Sequence, residues 1–281
     1  MARRDEHEDR GRGRGEFDEQ VHSIPEATPS AAIPGVLDEL ERVAVERRFG
    51  VAEEQVVRDH AISHTLAAIA SVGTDDVVFF GGTALARTHL TGLRLSEDID
   101  LIALVDRRAV GDRIEEAITR LLRRTLGSVT FTPHIRDTRH PDPAVMQVGD
   151  VSIQIQLVSS EGYPSWPTEV VEIEQRYSDA PPAKLRVLTT AAFVASKLSS
   201  WSNRGAPRDL YDLWALADAG IIKAEAIALF AKHGPYTDVS KVSFTRIPTD
   251  AEWKAALDHQ CIPAVGPEVA ARVVRAALAS V

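Results

Sequence analysis

The stretch that decides the fold is FFGGTALAR at residues 79–87, followed by RLSEDIDL at residues 94–101. The first segment has the pattern of a strand end, a glycine turn and a helix, and the second contains another strand. Adjacent glycines at Gly81 and Gly82 let the backbone approach a ligand closely, and helix-start amides capped by Thr83 suit a phosphate. The stretch therefore predicts a phosphate-binding turn.

Two acidic residues share one face of the second strand. Because side chains alternate along a strand, Asp98 and Asp100 project together while Ile99 and Leu101 enter the core. Close carboxylates repel each other, so a divalent cation such as Mg²⁺ is expected between them. Asp-x-Asp is a very common tripeptide, and alone it is more typical of a strand end whose carboxylates face water. The preceding glycine turn, together with the later motifs described below, favours the metal site.

The surrounding pattern indicates an α/β (α+β) fold, in which a mixed sheet is flanked by helices and followed by a mainly helical C-terminal domain. Strands are predicted at 77–80, 99–105, 128–133, 144–148 and 151–159. Helices are predicted at 36–49, 53–72, 83–89, 107–125, 189–203, 207–219, 224–232 and 267–280. We expect a disordered leader at 1–33, an α/β domain at 34–180 and a helical domain at 181–281; the stretch 234–249 fits no element.

Two of the later helices carry charged residues in register. Lys197, Trp201 and Arg204 fall on one stripe of the helix 189–203, a pattern that suits phosphates. The next helix begins at Pro207 and carries Asp209 and Asp212 beside its apolar face. Acidic residues near a helix start also stabilise the helix dipole, so a purely structural role for them is the alternative.

Composition limits the functions that are possible. A formal net charge of −9 argues against charge-driven binding of nucleic acid over a broad surface, so a polynucleotide partner needs a local basic patch. The Arg-Gly run at 10–15 is more typical of a solvated tail than of an RNA contact. One cysteine, Cys261, and the lack of a signal peptide or membrane-spanning apolar run predict a cytoplasmic protein with no membrane contact.

Two histidines lie one helical turn apart. His60 and His64 have the i, i+4 spacing of metal ligands, but no third ligand is evident in the sequence. We therefore expect histidines at the surface or at the edge of the core.

The combination of motifs resembles the AbiEii/AbiGii family of nucleotidyltransferase-like toxins, within the polymerase-β-like nucleotidyltransferases. The matching elements are Gly81-Gly82-Thr83, Ser96-Glu97-Asp98-Ile99-Asp100, Lys197 and Arg208-Asp209-Leu210-Tyr211-Asp212-Leu213. The resemblance covers roughly residues 77–216 and is specific in combination.

The resemblance implies a Mg²⁺-dependent toxin of a bacterial toxin–antitoxin pair. It would transfer a nucleotide from a nucleoside triphosphate to RNA, particularly the 3′ end of tRNA, and have a cognate antitoxin as partner. Asp98 and Asp100 would bind the metal, and Asp209 would assist the metal or the attacking hydroxyl. Ser96 would lie by the active site, where its hydroxyl could contact substrate or become modified, although a serine before a strand is often only a turn residue. The expected phosphate contacts are Gly81, Gly82, Thr83, Lys197, Arg94 and Arg208; surface ion pairing is an equally good account of the two arginines.

One departure from the fold's common pattern leaves other functions open. Many nucleotidyltransferases of this fold add a third carboxylate from a later strand, where this chain has Gln154 and Gln156. A neutral amide binds Mg²⁺ more weakly than a carboxylate does. The alternatives are therefore a kinase-like transfer of phosphate to RNA or protein, and a catalytically lapsed module that only binds nucleotide or a partner.

Overall fold

The computed structural model describes residues 35–140 and 142–281; the predicted leader, residues 1–33, lies outside this part of the chain. The strands are β1 Val77–Phe80, β2 Asp98–Ala103, β3 Val129–Thr132, β4 Ala144–Val148, β5 Val151–Ser159, β6 Thr168–Ile173 and β7 Ala183–Leu188. The helices are α1 Glu39–Phe49, α2 Glu53–Ala70, α3 Gly81–Arg87, α4 Arg107–Thr125, α5 Thr190–Arg204, α6 Pro207–Asp218, α7 Ala224–His233, α8 Asp250–Leu257 and α9 Pro267–Ala279.

All seven strands form one mixed sheet in the order β3-β4-β5-β2-β1-β7-β6. Near its centre, β2 runs antiparallel to β1 and parallel to β5. On its other side β1 pairs in parallel with β7. The strand that carries the two aspartates therefore has a hydrogen-bonded neighbour on each side, which fixes its register and the direction of its side chains.

The predicted mixed sheet flanked by helices is confirmed. Three elements had no prediction: the outer strand β6, the strand β7 beside β1, and the short helix α8. The boundary at residue 181 stays a prediction, and β7 lies beyond it as part of the sheet.

Helix α2 forms much of the core. It packs against β5, β7 and α4, and most of its side chains are buried. His60 and His64, expected at the surface or at the edge of the core, are among them, with 3% and 0% of their surfaces exposed, so neither lies at the surface. The reason is that the chain after β6 covers this side of the helix and supplies them with an acidic partner, Asp179.

A tight turn joins α5 to α6. Gly205 ends α5 with a φ of 60°, a left-handed conformation that glycine adopts without strain, and α6 begins two residues later at Pro207. The end of α5 is thereby held against the start of α6, which brings Arg204 to Asp209. Within the described residues, no helix is long and apolar enough to cross a lipid bilayer.

Candidate active site

The glycine turn lies directly against Asp100. Phe80, the last residue of β1, pairs with Asp100 on β2, so α3 begins beside that carboxylate. Gly81 has a φ of +79°, and a Cβ atom built there would lie 2.1 Å from the Asp100 Oδ2. Glycine is therefore required at this position for both its conformation and its lack of a side chain.

The next two residues of the turn are packed against β2 and the segment before it. A Cβ atom at Gly82 would lie 2.6 Å from the Arg94 Nη2 and 3.3 Å from the Ser96 Oγ. Thr83 donates a hydrogen bond to the main-chain oxygen of Asp98 and is buried. The structure thus contradicts the prediction that Thr83 caps the helix: α3 begins at Gly81, and Thr83 joins the helix to β2 instead.

Asp98 and Asp100 form a half-buried acidic pair on β2. Neither carboxylate makes a hydrogen bond or an ion pair with another residue in the described part of the chain. Burial and the neighbouring charge of Asp98 raise the pKa of Asp100 to about 6. Burial also raises the pKa of Asp98, although Arg208 opposes this shift. Two uncompensated carboxylates are the oxygen donors that Mg²⁺ prefers, so this pair fits a divalent cation.

A buried network of charges lies behind the turn. Arg94 donates to both oxygens of Asp212, from Nε at 2.8 Å and from Nη2 at 2.9 Å. The Lys197 ammonium lies 2.6 Å from the Asp212 Oδ2 and 3.3 Å from the Asp209 Oδ1. Arg204 completes the network through Asp209, at 2.6 Å and 2.9 Å.

The network compensates the buried carboxylates and is held beside the acidic pair. Burial would raise the pKa of Asp212, but Arg94 and Lys197 outweigh it and lower the pKa to about 2. Three cations surround two carboxylates, which leaves one net positive charge. This positive charge also acts on Asp100, because both Lys197 and Arg204 oppose the rise in the pKa of Asp100.

The predicted phosphate contacts therefore lie in two different environments. Arg94 is 2% exposed, with its guanidinium fully engaged by Asp212 and Gln260. Lys197 is also buried, between two carboxylates. Arg208, by contrast, is half-buried and makes no ion pair or hydrogen bond within residues 35–140 and 142–281, while its charge reaches both Asp98 and Asp100. Trp201, predicted to share the cationic stripe, is buried and donates to the Ser243 oxygen.

Comparison with known proteins identifies the fold and the family. A family model described as nucleotidyl transferase AbiEii toxin, type IV toxin–antitoxin system, matches residues 64–279. The chain belongs to this family. It is accordingly a nucleotidyltransferase of the toxin–antitoxin class, and both the glycine turn and the aspartate pair lie within the matched residues. No curated protein sequence matches the chain.

Two solved structures are similar to this chain. MenT4, a nucleotidyltransferase toxin from Mycobacterium tuberculosis H37Rv, is 20% identical with a TM-score of 0.63; the match covers 85% of this chain and 88% of MenT4. A candidate nucleotidyltransferase from H. pylori is 14% identical with a TM-score of 0.47, covering 82% of this chain and 95% of that one. At 20% identity the first match shows a shared fold.

Two further residues adjoin this AbiEii-family site without a signal in the sequence. Tyr163 lies on the segment between β5 and β6, with its ring 5.5 Å from that of Phe80. Burial and the charge of Asp100 raise the pKa of Tyr163 to about 12, so its hydroxyl stays protonated near the acidic pair. Gln260, which follows α8, accepts from Arg94 at 2.7 Å and is fully buried. Both arrive from distant parts of the chain, which spacing does not reveal.

The missing third carboxylate has a definite position in the sheet. Strand β5 pairs in parallel with β2, and the register places Gln154 opposite Asp98 and Gln156 opposite Asp100. These are the positions from which a neighbouring strand can add a side chain to the acidic pair. In this member of the AbiEii family both are amides, so the carboxylates from the sheet here are those of β2.

Proposed function

We propose that this protein is a Mg²⁺-dependent toxin that transfers nucleotides from a nucleoside triphosphate to an RNA acceptor such as the 3′ end of tRNA. The proposal includes a cytoplasmic location and a cognate antitoxin. The observation that carries it is the pair Asp98 and Asp100, two carboxylates without a described partner directly against a glycine turn. Family membership supports the reaction class, and the site supports the metal.

In this proposal Asp98 and Asp100 hold Mg²⁺, which when bound neutralises phosphate charge and orients the triphosphate. The close approach at Gly81 brings the main chain of the glycine turn directly beside the metal ligands. Ser96 lies behind Gly82, where its buried hydroxyl adjoins the turn. We assign Ser96 a structural role in shaping the site beside the glycine turn.

The cations of the site divide into two roles. Arg208 is the cation without an ion pair among the described residues, so we assign it to phosphate binding. Lys197 and Arg94 are buried in pairs with acidic residues, so we assign them, with Asp209 and Asp212, to positioning the turn and α6. The one positive charge in excess in this network also favours a polyanionic substrate near Asp100.

An RNA acceptor needs basic groups near the site, because the whole chain is acidic. A cavity of about 340 Å³ is lined by Arg204 and Arg246, and also by Glu252, whose carboxylate accepts from the Thr249 amide. The Arg204 side chain is 63% exposed although its guanidinium bonds Asp209, so it reaches from the charge network to this surface. We propose that the cavity receives phosphates of the acceptor strand.

The direct test is incubation of the pure protein with small RNA, Mg²⁺ and each nucleoside triphosphate, labelled in turn at the α- or the γ-phosphate. Transfer of a nucleotide places the α label in RNA. Asp98→Asn and Asp100→Asn should abolish labelling, whereas Asp218→Asn, an exposed residue at the end of α6, should retain it.

The other outcomes separate the alternatives. Label from the γ-phosphate alone, in RNA or in protein, would establish a kinase-like phosphotransfer instead. If nothing is labelled but nucleotide still binds, the protein is a catalytically lapsed module. The amides of Gln154 and Gln156, in place of a third carboxylate, would then be functionally important.

A further inference from the structure

Three side chains that belong to none of the nucleotidyltransferase motifs meet in the interior. His60 and His64 project from α2, and Asp179 approaches them from the segment between β6 and β7. The Nε2 atoms of both histidines lie 3.0 Å from Asp179 oxygens and 3.3 Å from each other. The three side chains are 4%, 0% and 2% exposed.

The spacing of these three donor atoms is that of ligands around one small cation. With metal–ligand bonds of about 2.0–2.2 Å, neighbouring ligand atoms lie about 2.8–3.1 Å apart in octahedral geometry and about 3.3–3.6 Å apart in tetrahedral geometry. The distances among the two Nε2 atoms and the Asp179 Oδ2, at 3.0, 3.0 and 3.3 Å, fall within these ranges. The three residues thus bring their donor atoms together in one place, as a metal centre requires.

The protonation state of the two imidazoles decides what the cluster can hold. With both Nε2 atoms protonated, each donates to the Asp179 carboxylate; with both unprotonated, two lone pairs and the carboxylate present three donors to one cation. The His64 Nδ1 is buried and has no hydrogen-bond partner among the described residues, so this ring is anchored through its Nε2 atom alone. A metal ion accepts both lone pairs at once.

The carboxylate is oriented from outside the cluster. The Gly35 amide donates to the Asp179 Oδ2 at 2.9 Å, which is the kind of supporting contact that holds metal ligands in place. Asp59, the residue before His60 on α2, binds Arg87 of α3 and Arg176 of the segment after β6. The cluster therefore lies where α2 is already tied to the chain that follows β6.

We propose that His60, His64 and Asp179 form a site for a divalent transition-metal ion, with Zn²⁺ as the natural occupant. Two imidazoles and one carboxylate favour Zn²⁺ over Mg²⁺, which prefers oxygen ligands alone. The burial of all three side chains suits a structural ion that fastens α2 to the segment around residue 179. Three protein ligands leave one position of a tetrahedral ion for a water molecule. This site and the Asp98–Asp100 pair would hold different metals.

The test uses the full chain without a histidine tag, because a tag binds the same metals. The protein is treated with chelator and titrated with Zn²⁺, and separately with Co²⁺, whose visible spectrum reports coordination. We expect one equivalent bound, a rise in the midpoint of thermal unfolding with Zn²⁺, and a four-coordinate cobalt spectrum.

Matched variants locate the ion. His60→Gln and Asp179→Asn should each weaken Zn²⁺ binding about tenfold or more. His259→Gln, on an exposed histidine, should bind Zn²⁺ like the parent.

Either of two results overturns the proposal. One is a folded parent chain that binds neither Zn²⁺ nor Co²⁺ at micromolar concentration, which leaves a histidine–carboxylate hydrogen-bond cluster only. The other is equal Zn²⁺ affinity in the parent and the cluster variants. Should those variants fail to fold, the cobalt spectrum of the parent decides, because a six-coordinate oxygen spectrum excludes this ligand set.

Discussion

Arg94 and Asp212 form a bidentate ion pair in which both side chains are 2% exposed. The pair joins the segment before β2 to the second turn of α6, residues that are 118 positions apart. The Arg94 guanidinium also borders Gly82. The helical C-terminal part of the chain is thereby fixed to the glycine turn of the site through one buried contact.

Breaking this pair should destabilise the fold. Arg94→Met leaves Asp212 buried with Lys197 as its remaining cation, and loss of one partner of a buried pair typically costs about 3–5 kcal/mol. Urea denaturation should show this loss in the free energy of unfolding. The double variant Arg94→Met/Asp212→Leu should be less destabilised than the sum of the two single variants. Full additivity would show that the two residues do not stabilise each other.

The glycine at the start of α3 should prove indispensable for transfer. Gly81→Ala places a methyl group 2.1 Å from the Asp100 Oδ2, so the carboxylate must move and activity should fall about 100-fold. Gly149→Ala is the matched control: its φ is also positive, at +54°, but a Cβ atom there meets nothing within 4 Å. Both variants carry backbone strain, and the first alone should lose nucleotidyl transfer. If Gly81→Ala and Gly149→Ala were equally active in a labelling assay, the close approach of Gly81 to Asp100 would be refuted.

The core of the site could be predicted from the sequence because its geometry is local. Alternation along one strand directs Asp98 and Asp100 to the same side, and the glycine turn is separated from them by only a short segment. Asp209 and Lys197 were assigned to the site by the resemblance to the AbiEii family and not by this local geometry. The prediction that Thr83 caps α3 was wrong because the start of this helix depends on how it packs against β2. The sequence pattern does not show that packing.

The sequence could not show which cations of the site are paired with buried acidic residues and which are not. Arg94 and Arg208 look alike in the sequence, yet one is buried against Asp212 and the other lacks an ion pair within the described residues. Likewise Asp179 is 115 residues from His64, so the histidine spacing gave no sign of a third ligand. Contacts over such separations arise from the sheet order, which the sequence pattern left open.

Arg208 should affect substrate binding without affecting stability. Arg208→Gln removes the cation that we assign to phosphate, so the KM for the nucleoside triphosphate should rise about tenfold or more. The midpoint of thermal unfolding should stay within about 2 °C, because no ion pair with a described residue is lost. Arg272→Gln, an exposed arginine on α9, is the control and should match the parent in both measurements. An unchanged KM in Arg208→Gln would remove this residue from the binding site.

Asp100 should be a source of instability in the absence of metal, and pH should reveal it. The folded protein raises the pKa of Asp100 from 3.8 to about 6, so the protonated form is favoured on folding, and stability is lost as the pH rises through this interval. Asp100→Asn does not titrate. In EDTA, the free energy of unfolding of Asp100→Asn is compared with that of the parent at each pH. The advantage of the variant should be about 2–3 kcal/mol larger at pH 7.5 than at pH 4.

Metal should reverse this difference. Saturating Mg²⁺ compensates the charge of the parent, so the parent should gain stability at pH 7.5 while Asp100→Asn gains little. Urea denaturation of both proteins, with and without Mg²⁺ at pH 7.5 and pH 4, measures each of these free energies of unfolding. A difference between the two proteins that does not change with pH would mean that Asp100 has its ordinary pKa. The acidic pair would then need no cation to compensate it.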